Sequence, residues 1–293
     1  MINLCCLSDA GFLARGLTLY DSLNGFGDDF TMHYLCIDDE SYSKLKEVGG
    51  KFIPYKLSDL LSKDEALAKL KDEDYRYFCW SLASYFTNYL VNELNVDVTY
   101  IDADIYFHHS VTEVLNQIGT RDIGIFRHRQ YALDVPNGNG WFNVGVTHFK
   151  NTDISKEYLS WWADAVLHKK YPDLATCGDQ KYLDVFKVLP EDKLFIDGDI
   201  GHGAPWQWQL YCFDTYEDDG CITWRGKKQK LVFSHFSQFS YSLKEDSYIP
   251  STTHYCFTPL ELYTSEEALK NIHDEYFDKI KHTHNKYNLG DSV

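Results

Sequence analysis

Asp102 and Asp104, two carboxylates one residue apart around Ala103, are the feature of this chain best suited to chemistry. Such a pair can splay toward one hard divalent cation, because Mg²⁺ or Mn²⁺ takes one or two carboxylates and completes its shell with phosphate oxygens and water. The pair follows the apolar run Val98–Ile101, which reads as a central strand. In open α/β sheets the ligand crevice lies outside the carboxyl ends of the strands, which is where this pair would stand. By itself D-x-D is a weak signal, and a solvated turn is the plainer alternative. A calcium loop of the EF-hand type would match Asp102, Asp104 and Glu113 at its twelfth position. It fails at Tyr106 and Phe107, where an oxygen ligand and a glycine are required. A phosphatase of the haloacid dehalogenase type carries D-x-D near the chain start, followed by a hydroxyl residue; here Ile105 and Tyr106 follow.

The elements that would have to present this pair begin at the N-terminus. Residues 2–8 read as a buried strand, and 12–24 have helical spacing, with Leu13, Leu17, Tyr20 and Leu23 on one side. A second strand is expected over 31–37, ending at Asp38-Asp39-Glu40, then a short helix over 40–48 and a third strand over 51–57. Residues 60–72 read as one charged, exposed helix, and 76–94 as a longer apolar one that leads into the strand before Asp102. Further strands are expected at 122–126 and 142–149, either side of the Asn137-Gly138-Asn139-Gly140 loop. A helix over 154–168, a late strand over 230–236 and a helical tail over 264–287 follow. Strands alternating with helices predict an α/β fold with a mostly parallel sheet. The expected division is a main domain over 1–250 and a C-terminal helical extension over 251–293.

Composition narrows the function classes. With 28 Lys and Arg against 44 Asp and Glu, the net charge is −16. That argues against broad attraction to nucleic acid or anionic lipid, and leaves at most peripheral membrane contact. A phosphorylated ligand is still compatible, since a bound cation supplies positive charge locally. The first residues, Met1 to Asp9, have neither a basic region nor a long apolar region of the signal-peptide kind, and no stretch approaches a membrane span. The eight cysteines contain no C-x-x-C pair. They read as reduced thiols of a cytoplasmic protein rather than as a zinc site. Aromatic residues are abundant, and suit stacking on bases and sugars as well as a plain aromatic core.

Six segments, taken in order, resemble the GT-A nucleotide-diphospho-sugar transferases, nearest to retaining glycosyltransferase family 8 and to related bacterial polysaccharide-cluster transferases. They are Tyr100–Phe107, Ile125–Arg129, Gly140–Val146, Gly178–Leu183, Ala204–Trp206 and Val232–Phe236. The resemblance implies a Rossmann-like, mostly parallel mixed sheet flanked by helices. It also implies transfer of a hexose-like sugar from a nucleotide-diphosphate donor, UDP favoured, to a saccharide or glycoconjugate acceptor, with Mn²⁺ or Mg²⁺. Asp102, Asp104 and His235 would then hold the metal. Asp179 would hold hydroxyls of the donor sugar, with Gln180 near its anomeric carbon and Asn143 and Gly145 beside it. Ser8, Asp9 and Asp38, at the ends of the first two strands, would meet base and ribose, and Trp206 would be an aromatic wall. Each has a plainer alternative. His235 and Trp206 suit a core, Gly145 a strand bulge, Asp179 a helix N-cap, and Ser8, Asp9 and Asp38 ordinary turn chemistry.

The family continues past its late histidine into a glycine- and lysine-containing motif, whereas Phe236-Ser-Gln-Phe239 follows here. The diphosphate contact of that lysine is therefore missing. Lys227, Lys228 and Lys230 are upstream candidates for it, although a solvated charge run is the better reading of them. Retention needs no strong protein base, because the leaving diphosphate can take the acceptor proton. Inversion would need one, for which Asp179 or Asp134 is available. The alternatives are a non-catalytic nucleotide-sugar binder of the same fold, and a metal-dependent phosphohydrolase or nucleotidyltransferase. The last would want a Gly-rich basic signature after the first strand, which Ser8–Phe12 is not.

Overall fold

The computed structural model describes residues 1–127, 140–196, 214–217, 219–224, 226–250 and 266–290. Short apolar runs between polar turns make the strands of the main sheet: β1 (Ile2–Ser8), β2 (Phe30–Cys36), β3 (Phe52–Lys56), β4 (Val98–Ile101), β6 (Ile123–Arg127), β7 (Phe142–Phe149) and β8 (Leu194–Ile196). Their order across the sheet is β3-β2-β1-β4-β7-β6-β8. Only β7 runs against its neighbours, so the sheet is mixed and mostly parallel, as a GT-A fold requires. The helices are α1 (Leu13–Asn24), α2 (Asp39–Val48), α3 (Leu57–Leu61), α4 (Glu65–Glu73), α5 (Tyr75–Leu94), α6 (Thr112–Ile118), α7 (Asp153–Leu167) and α8 (Glu266–Tyr287).

Alternation along β1 divides the core. Cys5 points into a cluster with Phe78, Leu82 and Phe86 of α5 and Leu159 and Trp162 of α7. Leu4 and Cys6 point the other way, into a cluster with Leu13, Leu17 and Leu23 of α1. Successive strand side chains face opposite sides of a sheet, so a seven-residue apolar strand covered on both faces has few polar positions.

A short strand, β5 (Ile105–Phe107), follows the Asp102–Asp104 turn and pairs antiparallel with β12 (Phe233–His235) on the α1 side. Between β8 and β12 lies a three-stranded sheet of β9 (Thr215–Tyr216), β10 (Cys221–Trp224) and β11 (Lys227–Lys230); β13 (Ser240–Ser242) and β14 (Ser247–Ile249) form a hairpin beyond β12. Helix α8 packs on this side. Tyr276 stacks on Phe236 at 3.8 Å, and Thr18 of α1 donates to Thr283 at 2.9 Å.

Two expectations need correction. The single exposed helix over 60–72 is two helices, α3 and α4, with Leu60, Leu67 and Leu70 buried. Asp64 separates them, because its carboxylate caps α4 by accepting from the Ala66 and Leu67 amides. The late strand over 230–236 is cut short as well. Lys227–Lys230 belongs to the three-stranded sheet, and the Val232 carbonyl accepts from the His108 and His109 amides, so only Phe233–His235 pairs with β5. The cysteines at 5, 6, 36, 79 and 221 are free thiols.

Candidate active site

Backbone hydrogen bonds bring the central residues together. The Asp102 amide, just past β4, donates to the Gly145 carbonyl of β7 at 2.8 Å, and the Ile105 amide donates to the Asp102 carbonyl at 3.1 Å. The chain therefore turns tightly around Ala103. The Asp104 carbonyl accepts from the Phe236 amide at 2.9 Å, and His235 stands opposite Ile105 in the β5–β12 pairing. As a result His235 Nε2 lies 3.1 Å from Asp104 Oδ1 and 3.7 Å from Asp102 Oδ2. One ligand atom from each of the three side chains falls within 4.8 Å of the others. Two carboxylates and an imidazole suit Mn²⁺, and Mg²⁺ less well because of the nitrogen.

These three side chains line one cleft of about 690 Å³. Ser8, Asp9, Ala103, Asn143, Asp179 and Gln180 line it too, so most of the residues singled out in the sequence meet there. Asp38 is not on its wall. One Asp38 oxygen caps α2 through the Ser41 amide at 2.7 Å, and the other accepts from the Ala10 amide at 2.7 Å. That carboxylate ties the loops after β1 and β2 together. Asp9 holds the turn that follows it by accepting from the Phe12 amide at 3.0 Å. Ser8 is buried; it donates to the Asp9 carbonyl at 2.9 Å and accepts from the Tyr34 hydroxyl at 2.7 Å. Trp206 and Asp134 lie outside the described residues, as do His128 and Arg129 of the second resembling segment.

Gly145 sits where the β6–β7 register shifts between Ile125 and Phe126, so the bulge reading of this glycine holds. A Cβ at 145 would come 2.7 Å from both Asn143 Oδ1 and His235 Nδ1. The missing side chain thus makes room for those two groups. Asp179 occupies the N-cap position of a 3-10 helix, Gln180–Val188, but its side chain makes no capping hydrogen bond. Its carbonyl accepts from the buried Trp162 indole at 3.0 Å, and its carboxylate is left to face the cleft.

The site is electrostatically tense. Burial pushes the Asp179 carboxyl well above the usual range, and the charge of Asp102 adds to this. Burial also raises Asp102, with Asp104 adding to it while His235 and the Tyr100 hydroxyl oppose. Asp104 goes the other way: burial raises it, but His235 and the Arg15 guanidinium outweigh burial and hold it low. Carboxylates crowded in this way are relieved by a bound cation.

Four residues were missed from sequence. Tyr100 donates to Asp102 Oδ1 at 2.6 Å. Arg15, buried in α1, donates to the Phe239 carbonyl at 3.0 Å behind the site. Arg76 and Trp80 of α5 line the cleft, the guanidinium lying 4.7 Å over the indole. Arg76 is the only Lys or Arg among the described residues that line it. Its i, i+4 spacing to Trp80 puts both on one helix face and was legible. Two of the three upstream lysines, by contrast, are committed elsewhere: Lys228 bridges Glu217 and Asp219, and Lys230 pairs with Glu113.

Residues 32–191, more than half of the chain, match the model of the nucleotide-diphospho-sugar transferase family, and the chain belongs to that family. It is therefore a glycosyltransferase-family protein with a GT-A sheet. A curated relative, the uncharacterised protein YfnF of Bacillus subtilis (strain 168), is 28% identical over 267 residues, covering 85% of this chain and 86% of that protein. Solved structures resemble it more distantly. Mouse xyloside xylosyltransferase 1 has a TM-score of 0.48 at 15% identity, over 69% of this chain and 86% of that one. The galactosyltransferase LgtC, solved with donor and acceptor sugar analogues, has 0.48 at 13%, over 80% and 87%. Among the described residues no helix is long and apolar enough to cross a membrane.

Proposed function

We propose that this protein is a metal-dependent hexosyltransferase of the cytoplasm, moving a sugar from a UDP-type nucleotide donor to a saccharide or glycoconjugate acceptor with retention of configuration. The observation that carries the reading is the convergence of Asp102, Asp104 and His235 in one cleft from positions far apart in the chain. Bound there, Mn²⁺ or Mg²⁺ supplies positive charge against the diphosphate as it departs. Ser8 and Asp9, at the end of β1, serve the nucleoside end of the cleft. Asp179 and Gln180, on the α5 and α7 side, serve the sugar. The raised Asp179 carboxyl keeps its proton more readily than an ordinary aspartate, which suits hydrogen bonding to sugar hydroxyls better than service as a strong base. That favours retention, with the acceptor proton leaving on the diphosphate.

The test is calorimetry with a panel of nucleotide diphosphates and nucleotide sugars, with and without Mn²⁺, on the wild-type protein and Asp104→Asn. Wild type should bind a donor only with metal, and Asp104→Asn should lose that binding by about 100-fold while its melting temperature holds. Equal affinity in the variant, or in a chelator, sinks the metal role. Slow Mn²⁺-dependent hydrolysis of the bound donor separates an enzyme from a mere binder, and NMR of the transferred anomeric proton reads the stereochemistry.

A further inference from the structure

Asn143 makes a set of contacts that fixes the protonation pattern of the ring beside it. Its Oδ1 lies 2.7 Å from the Gly145 amide nitrogen and 3.2 Å from His235 Nδ1. A backbone N–H can only donate, so the side-chain atom facing it must be the amide oxygen; the flipped amide would set two donors against each other. An amide oxygen can only accept. His235 Nδ1 must therefore carry a hydrogen, since a bare Nδ1 would put lone pair against lone pair. The same oxygen receives both hydrogens, and all three residues are buried or nearly so, with Asn143 4% and His235 5% exposed.

The consequence falls on the other ring nitrogen. With Nδ1 holding its hydrogen for Asn143, Nε2 is the nitrogen that faces Asp104 Oδ1 at 3.1 Å and Asp102 Oδ2 at 3.7 Å. A bare Nε2 lone pair facing two carboxylates would be repulsive, so without metal Nε2 carries a proton shared with Asp104, and a bound cation takes the place of that proton. Once that proton is displaced, the Nδ1–H ring offers Nε2 as a metal ligand. Outer partners of this kind set the tautomer and aim of a metal-binding histidine, and their loss typically weakens the metal by about 10–100-fold. We infer that Asn143 is a positioning residue: its amide oxygen, anchored by the Gly145 N–H, locks His235 as the Nδ1–H tautomer and turns Nε2 toward the carboxylates as a metal ligand. The inference rests on the proposed metal site and changes the part assigned to Asn143. It acts through His235 rather than on the sugar. Gly145 serves the same device twice, donating the anchoring hydrogen bond and leaving the space in which ring and amide meet.

The experiment uses the full chain and Mn²⁺ alone, with no nucleotide or sugar, because a sugar-contacting asparagine would not alter affinity for the bare ion. Free Mn²⁺ is read by electron paramagnetic resonance as protein is added. Wild type should bind, His235→Ala should not, and Asn143→Leu should bind about 10–100-fold more weakly. Asn143→Asp, which keeps an acceptor oxygen in place, should recover most of the affinity. In parallel, long-range ¹H–¹⁵N spectra of ¹⁵N-histidine-labelled, metal-free wild type should show a hydrogen on His235 Nδ1. This second measurement needs no variant, so a misfolded Asn143→Leu does not rescue the idea. A His235 with a bare Nδ1, or an Asn143→Leu protein that binds Mn²⁺ like wild type, overturns the positioning role and leaves the metal site standing. Failure of wild type itself to bind Mn²⁺ overturns the metal site and the positioning role with it.

Discussion

The cleft has two walls, and a glycine stands behind each. On the α1 side Gly145 backs His235; on the α5 and α7 side Gly178 backs Trp80, and a Cβ there would fall 2.7 Å from the indole. The first wall is held by main-chain pairing, since Asp102, Asp104 and His235 are each one hydrogen bond or one ladder step from a strand. The second is held by side chains. A 3-10 helix starts after Gly178, Trp80 lies against that glycine, Arg76 lies on the indole, and the Trp162 indole donates to the Asp179 carbonyl. Main-chain pairing leaves little play and suits a group that must converge within ångströms on one ion. Packed side chains allow a wall to be re-shaped, which suits the part of a transferase cleft that meets a variable sugar.

The largest effect should come from Gly145→Ala. The new methyl displaces Asn143 and His235 together, and Mn²⁺ affinity should fall by 100-fold or more, an order-of-magnitude expectation. Titration of the variant with Mn²⁺ checks it, and unchanged affinity would show that the first wall has more play than its pairing suggests. Gly178→Ala should act on folding instead. Its φ of +67° is strained for any residue with a Cβ, and the methyl meets Trp80. A loss of roughly 2–3 kcal/mol in urea unfolding is expected, with Mn²⁺ binding retained in the folded fraction. Loss of metal binding there would mean the walls are not separable.

Asp179 sharpens the contrast through pH. Its carboxyl is raised on folding, so it binds a proton more tightly in the folded state. Its stabilising contribution is complete below the unfolded pKa and is lost as pH rises from there toward the raised value. At neutral pH the charged form is a cost. Asp179→Asn should therefore melt higher than wild type at pH 7 without metal, by about 2–4 °C for each kcal/mol relieved, while the gain shrinks at pH 4. Parallel melting curves at both pH values, with no offset, would remove the buried-charge argument. The smallest effect is expected from Arg76→Gln. The side chain is exposed, so stability should change by no more than about 0.5 kcal/mol. Donor affinity should fall only a few-fold, measured against salt, because a rim cation acts mainly through screened attraction.

Much of this was legible before any coordinates. The strands at 2–8, 98–101 and 142–149 follow from apolar runs bounded by turn residues, and α5 from its length and apolar content, because burial on both faces of a parallel sheet leaves that signature. The Asp102–Asp104 pair was readable because strand ends are where such sheets place ligands. The division of 60–72 into two helices was hidden, since Asp64 reads as one more surface charge until its cap is seen. The shared helix face of Arg76 and Trp80 was legible from their spacing, but its place on the cleft was hidden, because an aromatic on a helix looks the same whether it faces a core or a cleft.

Local sequence thus determined which residues can make strands, where the carboxylates stand along β4, and that a histidine ends a late apolar run. Only the tertiary structure decided that β12 pairs with β5, that His235 Nε2 therefore reaches Asp104, and that Asn143 and Gly145 grip the ring from behind. The physical reason is range. Periodicity and capping act over a few residues and leave a mark in the sequence nearby. A tautomer, a raised carboxyl or a metal-ready triad depends on atoms within about 4 Å that come from strands far apart in the chain, and nothing local records that meeting.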